Sequence, residues 1–381
     1  MYNFHLFDDN FKKILQNKLQ IDLPSIKLCT YYNGKKILLR GYGSLDYDES
    51  GNLSLRMLCK FSRHHEDLLS LQLLSEIQDS GSSRFIIRAT DIFEGIWHSN
   101  KAILDEPFLI LPASHFVITF KLADVFYFPE IHSNDKVIAI INGKYDIPNN
   151  FQSDNKHSFV DSIYKKTIDG IEVTLTAKSD YFLIETSYIQ NKSELFVSKL
   201  LQVLSLIFGC ELQPQLISYP KTPRPKVVFA SSYDTSRTKR LPEIISHDTG
   251  LDIDLFTNTI TYFALCEITT CNILFGYWRK CFQAWQAGYE SAALSICVSI
   301  EGMLKVLFSD YAIRSEQVSR LITKALEDVE KNLIQSDVSY YIVSMLNRAL
   351  SAKPKDILRN LINNYQVLIP YSSVQSWESL R

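Results

Sequence analysis

Two hydrophobic periods follow one another along this chain. In its first part apolar residues recur every second position, as where Leu53, Leu55 and Met57 alternate with Ser54 and Arg56. That period puts one face of a strand in a core and the other in water. Ile26–Tyr32 and Lys36–Tyr42 flank Asn33-Gly34, which predicts a hairpin, because Asn-Gly accepts the positive φ that matches strand twist. Ser50-Gly51-Asn52 leads into a strand over Leu53–Phe61. Further strands are predicted at Arg84–Thr90, Phe108–Leu111, His115–Phe128 and Lys136–Ile141. Asn142-Gly143 is another hairpin signal, and Ser179-Asp180 joins strands expected at Ile171–Lys178 and Tyr181–Tyr188. A helix is expected over Lys192–Phe208 and a strand over Lys226–Ser231. Short strands at this spacing predict a β-sandwich or a related sheet.

From Asp248 onward the apolar spacing becomes three and four. Leu255–Gln286 reads as one long helix or two, ending by the C-terminal logic of Gly288. Glu290–Phe308 carries Ala293, Leu294, Cys297, Ile300 and Leu304 on one face. Helices follow over Ser315–Leu333, Val338–Leu350 and Lys355–Tyr365, with Pro354 suited to a first turn, and another starts in Ser373–Arg381. Between the two regimes lies a Pro-punctuated, basic linker from Pro214 to Pro242. The pattern therefore predicts an α+β chain, with a β-rich, sandwich-like domain over 1–235 and a helical bundle over 236–381.

Composition refines this picture only slightly. A formal charge of −2 argues against a generic nucleic-acid coat, because phosphate binding needs a basic face, but it leaves room for a local cationic site. The seven cysteines are irregularly placed behind a start with neither a basic region nor a long apolar run, which predicts free thiols in a reducing cytoplasm. Cys266, Cys271 and Cys281 fit no zinc spacing and read as thiols in a helical core. Ile260–Trp278 is apolar enough to raise the question of a membrane span. Glu267 near its middle would cost about 2.5–3.5 kcal/mol there, so a buried helix is the better reading. His64-His65-Glu66 ahead of Leu68–Ile77 reads as a polar helix start.

Two motifs stand in order within the helical part: Ser299-Ile300-Glu301-Gly302-Met303-Leu304-Lys305 on its second helix, and Trp377-Glu378-Ser379-Leu380-Arg381 at its end. In type, order and spacing they resemble the HEPN ribonuclease domain, in particular the ApeA-like form of bacterial anti-phage proteins, over Leu255–Arg381. More loosely, Lys36–Tyr42, the Gly51 turn and Leu53–Phe61 resemble the N-terminal domain of ApeA-like proteins. The resemblance implies an α-helical HEPN bundle that pairs as a homodimer and cleaves RNA, tRNA among the possible targets, with no metal and no cofactor. Arg381 then grips the scissile phosphate, since a guanidinium stays charged and offers a planar fork of donors. Glu301 orients Arg381. The family places a His a few residues after this Arg, a group whose pKa suits proton transfer. No His follows His247, so the chain as written is expected not to cut RNA. By the same likeness the β-rich domain senses a phage-derived trigger, and the role is abortive infection without membrane attachment. The alternative is a non-catalytic, HEPN-like dimerisation scaffold whose β-rich domain grips a ligand.

Overall fold

The computed structural model describes residues 18–32, 34–47, 51–60, 85–105, 109–111, 115–128, 135–150, 162–220, 226–230, 240–241, 246–247, 250–312, 316–332, 337–350 and 353–365. The chain divides into two compact units, Met1–Cys266 and Glu267–Arg381. It is an α+β protein, β-rich first and helical afterwards.

The first unit opens with strands β1 (Gln20–Tyr32), β2 (Lys35–Tyr47), β3 (Leu53–Lys60), β4 (Phe85–Thr90), β5 (Ile96–Leu104), β6 (Leu109–Leu111) and β7 (His115–Leu122). They run in the order β5-β4-β1-β2-β3-β7, and β7 pairs back onto β5 through Ala102 opposite Leu122 and Leu104 opposite Phe120. That pairing closes a six-stranded antiparallel barrel, so the expected sandwich is corrected to a barrel. Alternation and turns are the same in both architectures; long-range register decides between them. A local feature contributes, because Gly41 and Gly43 lie where β2 crowds β3. A Cβ at Gly41 would meet the Leu58 carbonyl oxygen at 2.2 Å, and one at Gly43 the Arg56 oxygen at 1.9 Å. Glycines at such positions let a strand bend tightly enough to close.

The barrel interior follows the period of two. Leu28, Leu39, Leu55, Met57, Ile87, Trp97, Ile118 and Phe120 enter one core, in which the Phe85 and Phe120 rings meet edge to face at 5.1 Å. The segment His115–Phe128, expected as one strand, breaks at Ala123. Its second part, β8 (Asp124–Phe128), leaves the barrel and pairs with the first half of β5.

From β8 the sheet continues through β14 (Lys226–Ala230), β13 (Leu216–Tyr219), β9 (Lys136–Asn142), β12 (Tyr181–Ser187), β11 (Ile171–Ala177) and β10 (Ser162–Ile168). One face extends the barrel core with Ile138, Ile140, Val227 and Phe229. The other is covered by helix α1 (Ser193–Ile207), where Val137 and Tyr219 meet Val197 and Leu201. Burial on both faces is why Val137–Ile141 reads as a continuous apolar run. The β1–β2 hairpin, closing at Tyr32 opposite Lys35, and the hairpin over Ser179-Asp180 form as expected. Asn142-Gly143 forms none, since β9 pairs only with β12 and β13 among the described strands. A short ribbon, β15 (Ser246–His247) and β16 (Gly250–Leu251), then leads to helix α2 (Ile253–Leu265).

α2 belongs to the β-rich unit, so the division falls downstream of the 235/236 boundary expected from composition. Phe256 and Ile260 are fully buried, the Phe256 ring meets Tyr164 edge to face at 4.9 Å, and the Tyr164 hydroxyl donates to Thr257 Oγ1 at 3.0 Å. The buried Lys199 of α1 donates its ammonium to the Ala264 carbonyl at 3.3 Å and to that of Cys266. A cation at a helix C-terminus satisfies carbonyls the helix leaves unpaired.

The second unit holds helices α3 (Ile268–Ala287), α4 (Tyr289–Leu307), α5 (Glu316–Asn332), α6 (Asp337–Leu350) and α7 (Pro354–Tyr365). Of the one long helix or two expected over Leu255–Gln286, the chain forms two, separated by extended backbone at Cys266 and Glu267, with ψ of 159° and 145°. Among the described residues no helix is long and apolar enough to cross a membrane. The expected elements at Leu68–Ile77 and Ser373–Arg381 lie outside the described residues.

Candidate functional site

Of the two residues singled out by sequence, Glu301 is on α4 and Arg381 lies outside the described residues. The hairpin that carries Glu301 is built from its turn outward. Gly288 adopts φ 145°, ends α3 through its N–H to the Ala284 carbonyl at 3.1 Å, and accepts from Ala292 N–H at 3.0 Å to start α4. A single residue reverses the chain, so the two helices pack antiparallel. On α3 the buried residues Cys271, Leu274, Trp278, Cys281 and Phe282 recur at three and four. Phe275, Trp278 and Phe282 stack in a line at 5.1 and 5.4 Å.

The Ser299–Leu304 string on α4 has a packing explanation for most of its members. Ser299 is buried and bonds to Cys281, whose thiol also reaches the Ser295 carbonyl at 3.8 Å. Burial raises the Cys281 pKa and the Ser299 bond lowers it in part, which leaves a protonated, unreactive thiol. At Gly302 a Cβ would lie 2.3 Å from Tyr277 Cζ, so a side chain there would have to push the tyrosine ring aside. Leu304, with Ile300 and Phe308, packs on Ile357, Leu358 and Leu361 of α7. That helix begins at Pro354 as expected, with Lys353 N–H donating to Asp356 Oδ2 at 2.9 Å.

Glu301 falls outside both packed rows and is half-buried. It shares a line along α4 with Leu294 and Val298, which are 69% and 57% exposed, and with the exposed Lys305. The acid therefore closes an apolar strip that α4 leaves uncovered in the single chain. α5 and α6 add Leu321, Val338, Tyr341 and Met345 to the exposed apolar surface of this unit.

Sequence reasoning missed a second constellation, around Asp91 in the β4–β5 turn. This buried carboxylate accepts from Phe93 N–H at 2.8 Å, Gly95 N–H at 2.9 Å and Trp97 Nε1–H at 2.8 Å. Trp97 in turn packs on Tyr127 at 4.4 Å, and burial together with the Asp91 charge raises the Tyr127 pKa. Three donors account for this carboxylate as a strut. It holds the turn that displays Ile92 and Phe93 to solvent. The signal in the sequence was an Asp two residues before a Phe and four before a Gly, an Asx-type turn.

No family model, curated protein or solved structure matches this chain. The likeness to a HEPN domain therefore rests on the residues quoted above.

Proposed function

We propose that the helical unit is a HEPN-type, metal-independent endoribonuclease module that works as a homodimer. The observation that supports it most is the α4 line: an uncovered apolar strip of Leu294 and Val298 running into the half-buried Glu301. A second copy laid on that strip buries the apolar residues and brings two Glu301 carboxylates to one cleft. There each carboxylate orients an Arg381 guanidinium against a phosphate, where it stabilises the charge that develops as the 2′-hydroxyl attacks. In this reading the β-rich unit reads a phage-derived trigger and the outcome is abortive infection through RNA cleavage.

The test uses protein expressed from the full reading frame of the gene, incubated with RNA in EDTA. Cleavage is expected, with Arg381→Ala lowering its rate by about 10²–10³-fold, the scale of one lost transition-state charge donor. Glu301→Gln gives a smaller loss. Cleavage that survives Arg381→Ala, or that needs a divalent metal, overturns the mechanism.

One observation favours a second reading, a non-catalytic dimerisation scaffold. Packing against Cys281 and Tyr277 accounts for Ser299 and Gly302 without any chemistry. Dimers that never cleave RNA would select it.

A further inference from the structure

The outer surface of the barrel carries a row of cations. Lys27 on β1 stands opposite Arg40 on β2 and opposite Arg88 on β4, and Arg88 stands opposite His98 on β5. Lys27, Arg40 and Arg88 are exposed and His98 is half-buried, while their chain neighbours Leu28, Leu39, Ile87 and Trp97 face the core. Neighbouring strands lie about 4.8 Å apart, so the row spans roughly 14 Å. Like charges at opposed positions repel across a sheet. None of these three cations has an ion-pair partner among the described residues. Among the described residues this repulsion is uncompensated, and a polyanion laid along the row relieves it.

Aromatic faces flank the cations. Tyr42, two residues beyond Arg40 on the same side of β2, is 51% exposed, and Tyr31, four beyond Lys27 on β1, is 65% exposed. Phe126 stands opposite His98 at the end of the row. We propose that this face binds single-stranded nucleic acid, with phosphates along Lys27, Arg40 and Arg88 and unstacked bases on Tyr42 and Tyr31. Each cation releases counterions from the phosphate chain, and each ring offers a stacking platform that any base can use. An acidic peptide would use the cations and leave the rings idle, and a duplex keeps its base faces inside. The inference stands on the barrel alone and does not rest on the nuclease reading.

The experiment is fluorescence anisotropy of the intact chain with labelled oligouridine and oligothymidine about 12 nucleotides long, a typical single-strand site size. With about 0.7 counterions released per phosphate contact, three cations give a slope of about −2 in log affinity against log salt. Affinity then falls roughly 20-fold between about 50 and 200 mM salt. Lys27→Gln with Arg88→Gln is expected to bring the slope to about −0.7. Tyr42→Ala is expected to weaken binding about ten-fold at unchanged slope. Lys166→Gln, on β10, leaves binding as it was. Preference for RNA over DNA, or the reverse, assigns the sugar and supports the proposal either way. Three results overturn it: full affinity in the double variant; duplex or polyglutamate binding as tightly as the oligonucleotides, with Tyr42→Ala silent; or capture by phosphatidylserine vesicles without oligonucleotide binding. Thermal melting of each variant confirms that it is folded. Oligothymidine has no 2′-hydroxyl to attack, so its binding reads the barrel face apart from any cleavage, and failure of the cleavage test and failure of this one are separable.

Discussion

In the β-rich unit every long barrel strand sends alternate side chains into one core that runs on into the sheet, whereas α5 and α6 of the helical unit bury no side chain whose burial is described. The helical unit concentrates its burial in the α3–α4 hairpin and at the α4–α7 contact, and leaves apolar residues such as Leu321, Tyr341 and Met345 exposed. The contrast teaches what each unit leaves exposed. A closed barrel has used its apolar face and has charge to offer. A bundle with exposed apolar lines has apolar surface left over.

The sharpest way to break this comparison is to remove one core ring and one exposed aliphatic. Phe120→Ala, at a fully buried barrel position in contact with Phe85, is expected to cost about 3–5 kcal/mol by chemical denaturation. Leu321→Ala, on α5, is expected to stay within about 0.5 kcal/mol in a monomeric preparation. Comparable losses at both would mean that α5 is covered in the single chain.

Next in size is a substitution at the helix hairpin. Gly302→Ala places a methyl against the Tyr277 ring and is expected to cost about 1–3 kcal/mol by overpacking. Tyr277→Ala in the same chain should recover part of that loss, because it removes the colliding ring. If Gly302→Ala is instead neutral, the α3–α4 approach is looser than its geometry indicates, and the packing account of the Ser299–Leu304 string fails with it.

How much of this was legible beforehand follows the same division. Local signals carried well: the β1–β2 hairpin, the Leu53–Met57 alternation, the helix starting at Pro354 and the turn at Gly288 all depend on a few adjacent residues. Barrel closure was not legible, because it depends on Ala102 meeting Leu122 across twenty residues of register that no short window contains. β5 itself escaped notice. Its centre, His98-Ser99-Asn100-Lys101, is polar, and only the buried Trp97, Ser99 and Ala102 mark its inner side. The cation row was invisible for a related reason: Lys27, Arg40, Arg88 and His98 are far apart in sequence and meet only through three strand registers. Glu301 was found by motif, and what the structure adds is its place at the end of an exposed apolar line.

Smaller effects sharpen the charged side of the comparison. Lys27→Gln removes a like charge standing between Arg40 and Arg88, and is expected to stabilise the β-rich unit by about 0.2–1 kcal/mol, the scale of one cross-strand pair. The gain should shrink as salt is raised, since exposed charges are screened. Destabilisation by this change would mean that the lysine stem contributes more through packing than its charge costs.

The last prediction follows the same row through a proton. His98 has its pKa lowered, first by burial and then by the Arg88 charge. An unfolded histidine titrates near 6.5, so between the lowered value and that point the unfolded chain binds more protons than the folded one. Stability must therefore rise with pH across this window: the His98 contribution is complete above about pH 6.5 and is lost as pH falls through the folded pKa. In Arg88→Gln the folded pKa should move part of the way back up, because the coulombic cause is gone and burial remains, and the acid-side loss of stability should narrow with it. An NMR titration of the His98 ring in both proteins reads the shift directly. An identical midpoint in the two would show that Arg88 is not felt at His98, and the four residues would then be neighbours in register without acting as one electrostatic surface.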